Sequence, residues 1–280
     1  MLAFEVCNSL GQKLGRALLL LAAAGLTCAA LGTGRSNAEP MDVRTAQIDG
    51  HRVAYRVLGH DRPVLVLISG LGDGMASFKG VAPDLAKNAT VIVYDRAGYG
   101  RSEVVTKPRD ATAVDRELTG VLKASGVAGP YVVVGHSSGG LYAEYFAVHH
   151  PEEVAGLILE ESRPADFSQR CLAAKLAMCG PPPALVRFLP KGAQAEAEAL
   201  DETAAEVGVT RQSAVPVLVL SRPIPKDANG FDALWSTAQD DLAVRYAARH
   251  LTAPAGGHYI HVDQREWFMA QVKAFLPGAR

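Results

Sequence analysis

Residues Gly135-His136-Ser137-Ser138-Gly139 lie between the apolar run Tyr131–Val134 and a helix-forming stretch that begins near Leu141. A Gly-x-Ser-x-Gly turn in this setting leaves a buried strand and enters a helix within a few residues. That forces the serine into a strained turn with its hydroxyl lifted over the sheet. The two glycines leave room for backbone that any Cβ would block. The pattern asks for a strand–turn–helix unit and marks Ser137 as a candidate nucleophile.

Other apolar runs repeat the layout. Gln47–Leu58 alternates and reads as an opening strand, with Asp49-Gly50 as a turn. Val64–Ile68 ends at Ser69-Gly70-Leu71-Gly72, and Thr90–Tyr94 ends at Asp95-Arg96-Ala97-Gly98-Tyr99-Gly100. Val154–Leu159 ends at Glu160-Glu161, and Val215–Leu220 follows later. Continuous apolar runs closed by polar or glycine-rich loops fit strands buried on both faces of a parallel sheet. Helical stretches at Ala111–Ser125, Leu141–His150 and Leu234–His250 separate the runs, and a last helix covers about Gln264 to Phe275. This alternation predicts an α/β fold, a mostly parallel doubly wound sheet with its site at the carboxyl ends of the strands. The stretch from Arg163 to about Gln212 has no strand-like run, and Pro181-Pro182-Pro183 divides an apolar piece from an alanine-rich charged one (Gln194–Val207). It reads as an inserted helical cap, because structureless loops of that length are rare.

With 280 residues, 49% of them hydrophobic, the chain can bury a sizeable core. Net charge is −1 and no Lys/Arg block follows the N-terminus, so nucleic acid is not an expected partner. No His/Cys group has metal-ligand spacing, so no metal is expected. Lys13 and Arg16 precede an apolar run from Ala17 to Leu31, followed by Ser36-Asn37-Ala38. This is the pattern of a secretory signal peptide, cleaved after Ala38, and too short to favour the alternative of an uncleaved membrane anchor. Cleavage leaves residues 39–280 with two cysteines, Cys171 and Cys179. An even pair in an exported chain suggests a disulfide. One straight helix over that segment would hold the two Cα atoms about 12 Å apart, so a bridge requires the chain to turn.

A serine nucleophile needs a base, nearly always histidine. Of eight histidines, His258 follows Ala255-Gly256-Gly257 and precedes the final helix; His261 is its competitor. The elbow, Ser69-Gly70-Leu71-Gly72, the run Asp95 to Ser102 and Gly257-His258 together resemble the α/β-hydrolase superfamily from about Gln47 to Pro277. The resemblance implies attack by Ser137 with His258 as general base and no cofactor. It also implies backbone N–H donors from Leu71 and Ser138 for the oxyanion. The family often has His-Gly where this chain has Ser69-Gly70, which leaves the packing of that loop open. The Asp95–Ser102 loop lacks the Gly-Lys-Ser/Thr ending of a nucleotide cradle, and in the family such a loop is a tight turn beside the elbow.

The third member of the triad is the least defined. Superfamily members usually place it after the seventh-strand position, where Asp227 is the acid in reach; a minority place it after the sixth, which points to Glu161. Adjacent strand residues face opposite ways, so only one of Glu160 and Glu161 is expected to aim at the histidine. The choice is Glu161, with Asp227 as the alternative. The expected activity is that of an exported serine hydrolase acting on a small-molecule ester or related acyl substrate. The rivals are a proline-releasing peptidase, favoured by a cap carboxylate placed for a substrate amine, and a non-catalytic binding protein of the same fold.

Overall fold

Alternate residues of each apolar run face opposite sides of one sheet. In the computed structural model the described residues are 42–176, 179–180, 182–209 and 215–276; the expected signal segment lies outside them. The first half forms β1 (Arg44–Ile48), β2 (His51–Leu58), β3 (Val64–Ile68), α1 (Ala82–Leu85), β4 (Thr90–Asp95) and α2 (Ala111–Ser125). Then come β5 (Tyr131–His136), α3 (Gly139–His149), β6 (Val154–Glu160), α4 (Phe167–Ala173), α5 (Pro183–Val186), α6 (Lys191–Glu198) and α7 (Leu200–Val209). The chain closes with β7 (Val217–Ser221), α8 (Gly230–Arg245), β8 (Arg249–Thr252), α9 (Ile260–Asp263) and α10 (Arg265–Phe275).

The strands make one eight-stranded sheet in the order β1-β2-β4-β3-β5-β6-β7-β8. β1 and β2 are antiparallel additions at one edge, and the other pairings are parallel. From β3 the chain goes to β4 on one side and then to β5 on the other. This reversal opens a crevice at the carboxyl ends of β3 and β5, the usual place for a site in such sheets. Both Ser69-Gly70-Leu71 and Ser137 leave the sheet there.

Val64, Val66, Ile68, Val133, Leu157 and Val219 pack with Val114, Leu118, Tyr142, Phe146 and Leu242 on one face. Their neighbours Leu65, Leu67, Val132, Val134, Ile158 and Leu218 pack with Phe78, Leu85, Ile260, Phe268 and Val272 on the other. Truncating a fully buried leucine such as Leu67 to alanine would cost about 2–5 kcal/mol. Helix α2 shows why such elements form where they do. Asp110 caps its start by accepting from the Ala113 N–H at 2.7 Å, and Gly126 ends it at φ +72°. Its buried residues Ala111, Val114, Leu118 and Val121 recur at helical spacing.

Two expectations need correction. The opening strand is a hairpin, because Asp49 and Gly50 both take positive φ (50° and 83°) and turn β1 back on β2. The helix expected over Leu234–His250 ends at Arg245. Ala247 then turns left-handed at φ +46°, and residues 249–252 join β7 as a further parallel strand. No glycine or proline marks that stop. The segment after β6 carries the short helices α4–α7, and it turns between the cysteines as the expected bridge requires: α4 ends at Ala173, Lys175 has φ +53°, and the Cys171–Cys179 disulfide forms across 5.8 Å between Cα atoms. Helix α7 packs on α2 and α3, and α4 packs on α8.

Candidate active site

Ser137 has φ +55°, a conformation uncommon for a residue with a side chain. Its backbone is held from three sides. The N–H donates to Glu160 O at 3.1 Å, and the carbonyl accepts from the Gly140 and Arg163 N–H groups at 3.0 Å each. The glycines on either side are required by contact: a Cβ on Gly135 would lie 2.6 Å from Gly140 Cα, and one on Gly139 would lie 2.4 Å from Ile68 O. The strand before and the helix after therefore fix where the hydroxyl points.

It points at His258. Ser137 Oγ lies 2.9 Å from His258 Nε2, and His258 Nδ1 lies 3.2 Å from Glu161 Oε2. Glu161 is fully buried and itself sits at φ +44°. Its carboxylate also accepts from the Arg222 N–H at 2.8 Å and from Trp235 Nε1–H at 3.0 Å. The Arg222 Nε lies 3.4 Å from Glu161 Oε2, and its Nη2 donates to Asp232 at 2.8 Å. With a carboxylate on Nδ1, the imidazole carries its proton there and presents a free lone pair on Nε2 to the serine hydroxyl.

Glu160 points the other way and makes a second couple. Its Oε1 accepts from the His261 N–H at 2.7 Å, and both oxygens lie 2.9 Å from His261 Nδ1. Burial pulls the His261 imidazole down, and the charge and hydrogen bonding of Glu160 outweigh it, so its pKa lies above the usual histidine value. His136, one residue before the nucleophile, donates from Nε2 to His258 O at 2.9 Å. Burial, with His258 and His261 nearby, holds His136 well below the usual range, so it stays neutral. These contacts hold the loop at His258 and again at His261.

The same three residues are a cluster that sequence spacing did not reveal: His136, Glu160 and His261 offer metal-type donor atoms within 4.8 Å of one another. Both Glu160 oxygens are already taken by His261, so the arrangement reads as a hydrogen-bonded support for the loop.

The Leu71 and Ser138 backbone N–H groups have no acceptor among the described residues. Ser138 is the N-cap of α3, where unpaired amides and the helix dipole favour negative charge. The Ser69-Gly70 departure from the family pattern has its own bonding. Ser69 Oγ donates to Asp73 O at 2.7 Å, and Arg96 Nη1 donates to Ser69 O at 2.7 Å. In the Asp95–Ser102 loop, Asp95 accepts from the Met75 and Arg101 N–H groups at 2.8 and 3.0 Å. That is a turn-stabilising role.

Of the sequence-predicted residues, Ser137, His258 and Glu161 come together, with Leu71 and Ser138 supplying the two free amides. Asp227 does not: it is exposed in the turn before α8 and makes no hydrogen bond to His258 among the described residues. Sequence reasoning missed Trp235, Arg222, His136 and the Glu160–His261 couple. An indole or guanidinium that orients a carboxylate has no fixed spacing from it, and only the position of His136 beside Ser137 offered a signal.

Comparison with known proteins agrees with this architecture. The α/β hydrolase fold family matches residues 63–219, more than half of the chain. RutD of Azorhizobium caulinodans, named for carbamate hydrolysis, is 34% identical over 140 residues, covering 49% of this chain and 52% of that protein. The chain spans about half the length, or less, of the curated relatives it matches first. Among solved structures, an esterase from Thermogutta terrifontis superposes with a TM-score of 0.62 at 19% identity, covering 85% of this chain and 99% of that one. The enol-lactonase from Burkholderia xenovorans LB400 gives 0.59 at 20% identity, covering 82% and 98%. At such identities the likeness is one of fold. The eight-stranded sheet, the turn at Ser137 and the family match together make this chain a member of the α/β-hydrolase superfamily.

Proposed function

We propose that the protein is an exported serine hydrolase, carboxylesterase-like, that cleaves an ester or related acyl bond without a cofactor. The observation that carries this reading is the relay from the strained Ser137 through His258 to the buried Glu161, at 2.9 and 3.2 Å. Ser137 Oγ attacks the substrate carbonyl as His258 Nε2 takes its proton, and Glu161 stabilises the imidazolium that forms. The Leu71 and Ser138 N–H groups bind the developing oxyanion. His258 returns the proton to the leaving alcohol, and a water activated by the same nitrogen then releases the acyl group.

The peptidase reading needs a cap carboxylate aimed at the site; the buried Glu196 is bound by Arg96 and Tyr99 instead, and Glu198 and Glu202 are exposed. Glu206 is bound by Thr112. The export reading rests on the N-terminal segment, with a mature chain starting near Glu39, and on a disulfide of the kind that persists in oxidising compartments. No helix among the described residues is long and apolar enough to cross a membrane.

The test is labelling with a fluorophosphonate probe, followed by a panel of p-nitrophenyl esters of rising chain length, an aryl carbamate and aminoacyl amides. Stoichiometric labelling of Ser137, with turnover of one of the esters or the carbamate, is expected. An inert serine would remove the hydrolase reading, and turnover confined to the aminoacyl amides would revive the peptidase.

A further inference from the structure

The cap reaches the loop after β3 through one carboxylate. Glu196 of α6 is buried, and it accepts from Arg96 Nε at 2.7 Å and Nη2 at 2.9 Å. The same guanidinium also donates from Nη1 to Ser69 O at 2.7 Å and from Nη2 to Gly70 O at 3.0 Å. Tyr99 OH donates to Glu196 at 2.5 Å and accepts from the Gly72 N–H at 3.4 Å. Residues 69, 70 and 72 therefore all hang on two side chains that Glu196 holds. The α6 backbone docks on the loop that carries Arg96 and Tyr99, Gly192 N–H donating to Gly98 O at 3.2 Å.

The peptide geometry gives these contacts a consequence. Among the described residues the cis peptide bonds precede Pro63 and Pro130, so the 70–71 bond is trans. In a trans peptide the C=O and the following N–H point in opposite directions. Arg96 draws Gly70 O to its own side, and this turns the Leu71 N–H away from Arg96. Gly70 itself packs on the nucleophile, a Cβ there lying 3.0 Å from Ser137 Cβ. A cation on the carbonyl end also polarises the peptide and strengthens its N–H as a donor.

We propose that Arg96, gripped by the cap residue Glu196, is a positioning residue that sets the Leu71 N–H as an oxyanion donor, so that cap docking and assembly of the oxyanion hole are one event. The inference rests on the serine-hydrolase reading above. It assigns Glu196 a regulatory role: displacing α6 frees Arg96 from its fork and lets the 70–71 peptide rotate. A buried guanidinium left without its carboxylate carries an uncompensated charge, so the loop does not keep its geometry.

The experiment compares the wild type with Glu196→Gln, Arg96→Lys and Glu206→Gln on the best ester of the panel. Glu206 links the cap to Thr112, with contacts of 3.2 Å, and does not touch the loop. Its variant therefore weakens one cap contact while leaving the Glu196–Arg96 fork that docks α6 in place. Readouts are kcat, KM, the inhibition constant of phenylboronic acid (a tetrahedral mimic once bound to Ser137) and Tm. Glu196→Gln and Arg96→Lys are expected to lower kcat by about 10- to 100-fold, with the boronate weakened by a matching factor. KM should stay within about three-fold, because the lost interaction belongs to the transition state. Glu206→Gln should leave kcat and boronate affinity unchanged.

The proposal is overturned if Glu196→Gln keeps wild-type kcat and boronate affinity, if its loss is confined to KM, or if Glu206→Gln loses as much. Should Arg96→Lys fail to fold, the isosteric Glu196→Gln decides alone. A wild type that no fluorophosphonate labels refutes the hydrolase reading and this proposal with it; a labelled wild type beside an unimpaired Glu196→Gln overturns this proposal only.

Discussion

Replacing Glu161 by glutamine changes no volume and removes one charge and one acceptor. The carboxylate faces donors on both oxygens: the Arg222 N–H on Oε1, and Trp235 Nε1–H and His258 Nδ1 on Oε2. An amide has only one oxygen, so one side must meet donor with donor. If the NH2 faces Arg222, a backbone N–H loses its partner and His258 keeps its tautomer against a neutral acceptor. If the NH2 faces Trp235 and His258, the imidazole relieves its own conflict by moving its proton to Nε2, which leaves Ser137 without a base. Each arrangement leaves one buried donor unpaired, at about 1–3 kcal/mol of stability. In the first the imidazolium loses a charge-assisted bond; in the second the tautomer is wrong, which in a serine protease costs about 10⁴-fold in kcat.

We therefore expect Glu161→Gln to lower kcat by about 10³- to 10⁴-fold with little change in KM, since the side chain touches no substrate. Glu161→Ala should lose similar activity and more stability, because it leaves the Arg222 and Trp235 donors both unpaired, at about 2–5 kcal/mol. Asp227→Ala should stay within about two-fold of wild type, as an exposed residue with no hydrogen bond to the relay among the described residues. Steady-state kinetics on one p-nitrophenyl ester, with a thermal melt for each variant, makes the comparison. A Glu161→Gln enzyme that keeps a tenth of wild-type kcat, or a large loss confined to Asp227→Ala, would refute the reasoning.

Ser137→Ala should abolish burst and turnover while its Tm holds or rises, since it removes the attacking atom; turnover near the wild-type rate would show that another group attacks. The exported protein should begin near Glu39 and carry no alkylatable thiol before reduction, its Cys171–Cys179 bond adding about 2.5 kcal/mol on the chain-entropy view; intact mass with and without reductant checks both. Glu144 on α3 is buried and burial pushes it up to about 7, against a donor from Tyr246 OH at 2.6 Å. A raised carboxyl gives stability that is fully present below pH 4.5 and lost as pH rises through about 7, so the Tm gain of Glu144→Gln should grow across that window. A Tm difference that stays flat from pH 4.5 to 8 would contradict it.

The fold was legible where each residue's own chemistry decides its place. Val64–Ile68 and Tyr131–Val134 are apolar on both faces and could only be central strands. The elbow announced itself because strain needs glycines at fixed offsets. Residues 249–252 were missed for the opposite reason: Ala247 adopts a left-handed turn that its side chain does not advertise, and β8 exists because β7 has a free edge to fill. The cap's disulfide turn was visible as a conflict between helix geometry and bond length, and the chain resolved it by bending.

The acid shows the limit most clearly. Glu160 and Glu161 are neighbours with the same charge, and sequence offers no difference between them beyond the offset from Gly156. Glu160 ends β6 and Glu161 turns left-handed at φ +44°, so their side chains leave the strand end in different directions. Two histidines three residues apart, His258 and His261, wait there, so each glutamate finds one. Which couple serves Ser137 is decided by the loop from Gly256, with φ +102°, and by His136 holding His258 O at 2.9 Å. The same strand end thus supplies both the proton relay and the clamp that keeps it in register. Exchanging the two roles would require turning the strand by one residue, which would also swap the side chains that β6 packs into the two cores, Leu157 and Leu159 on one face and Ile158 on the other.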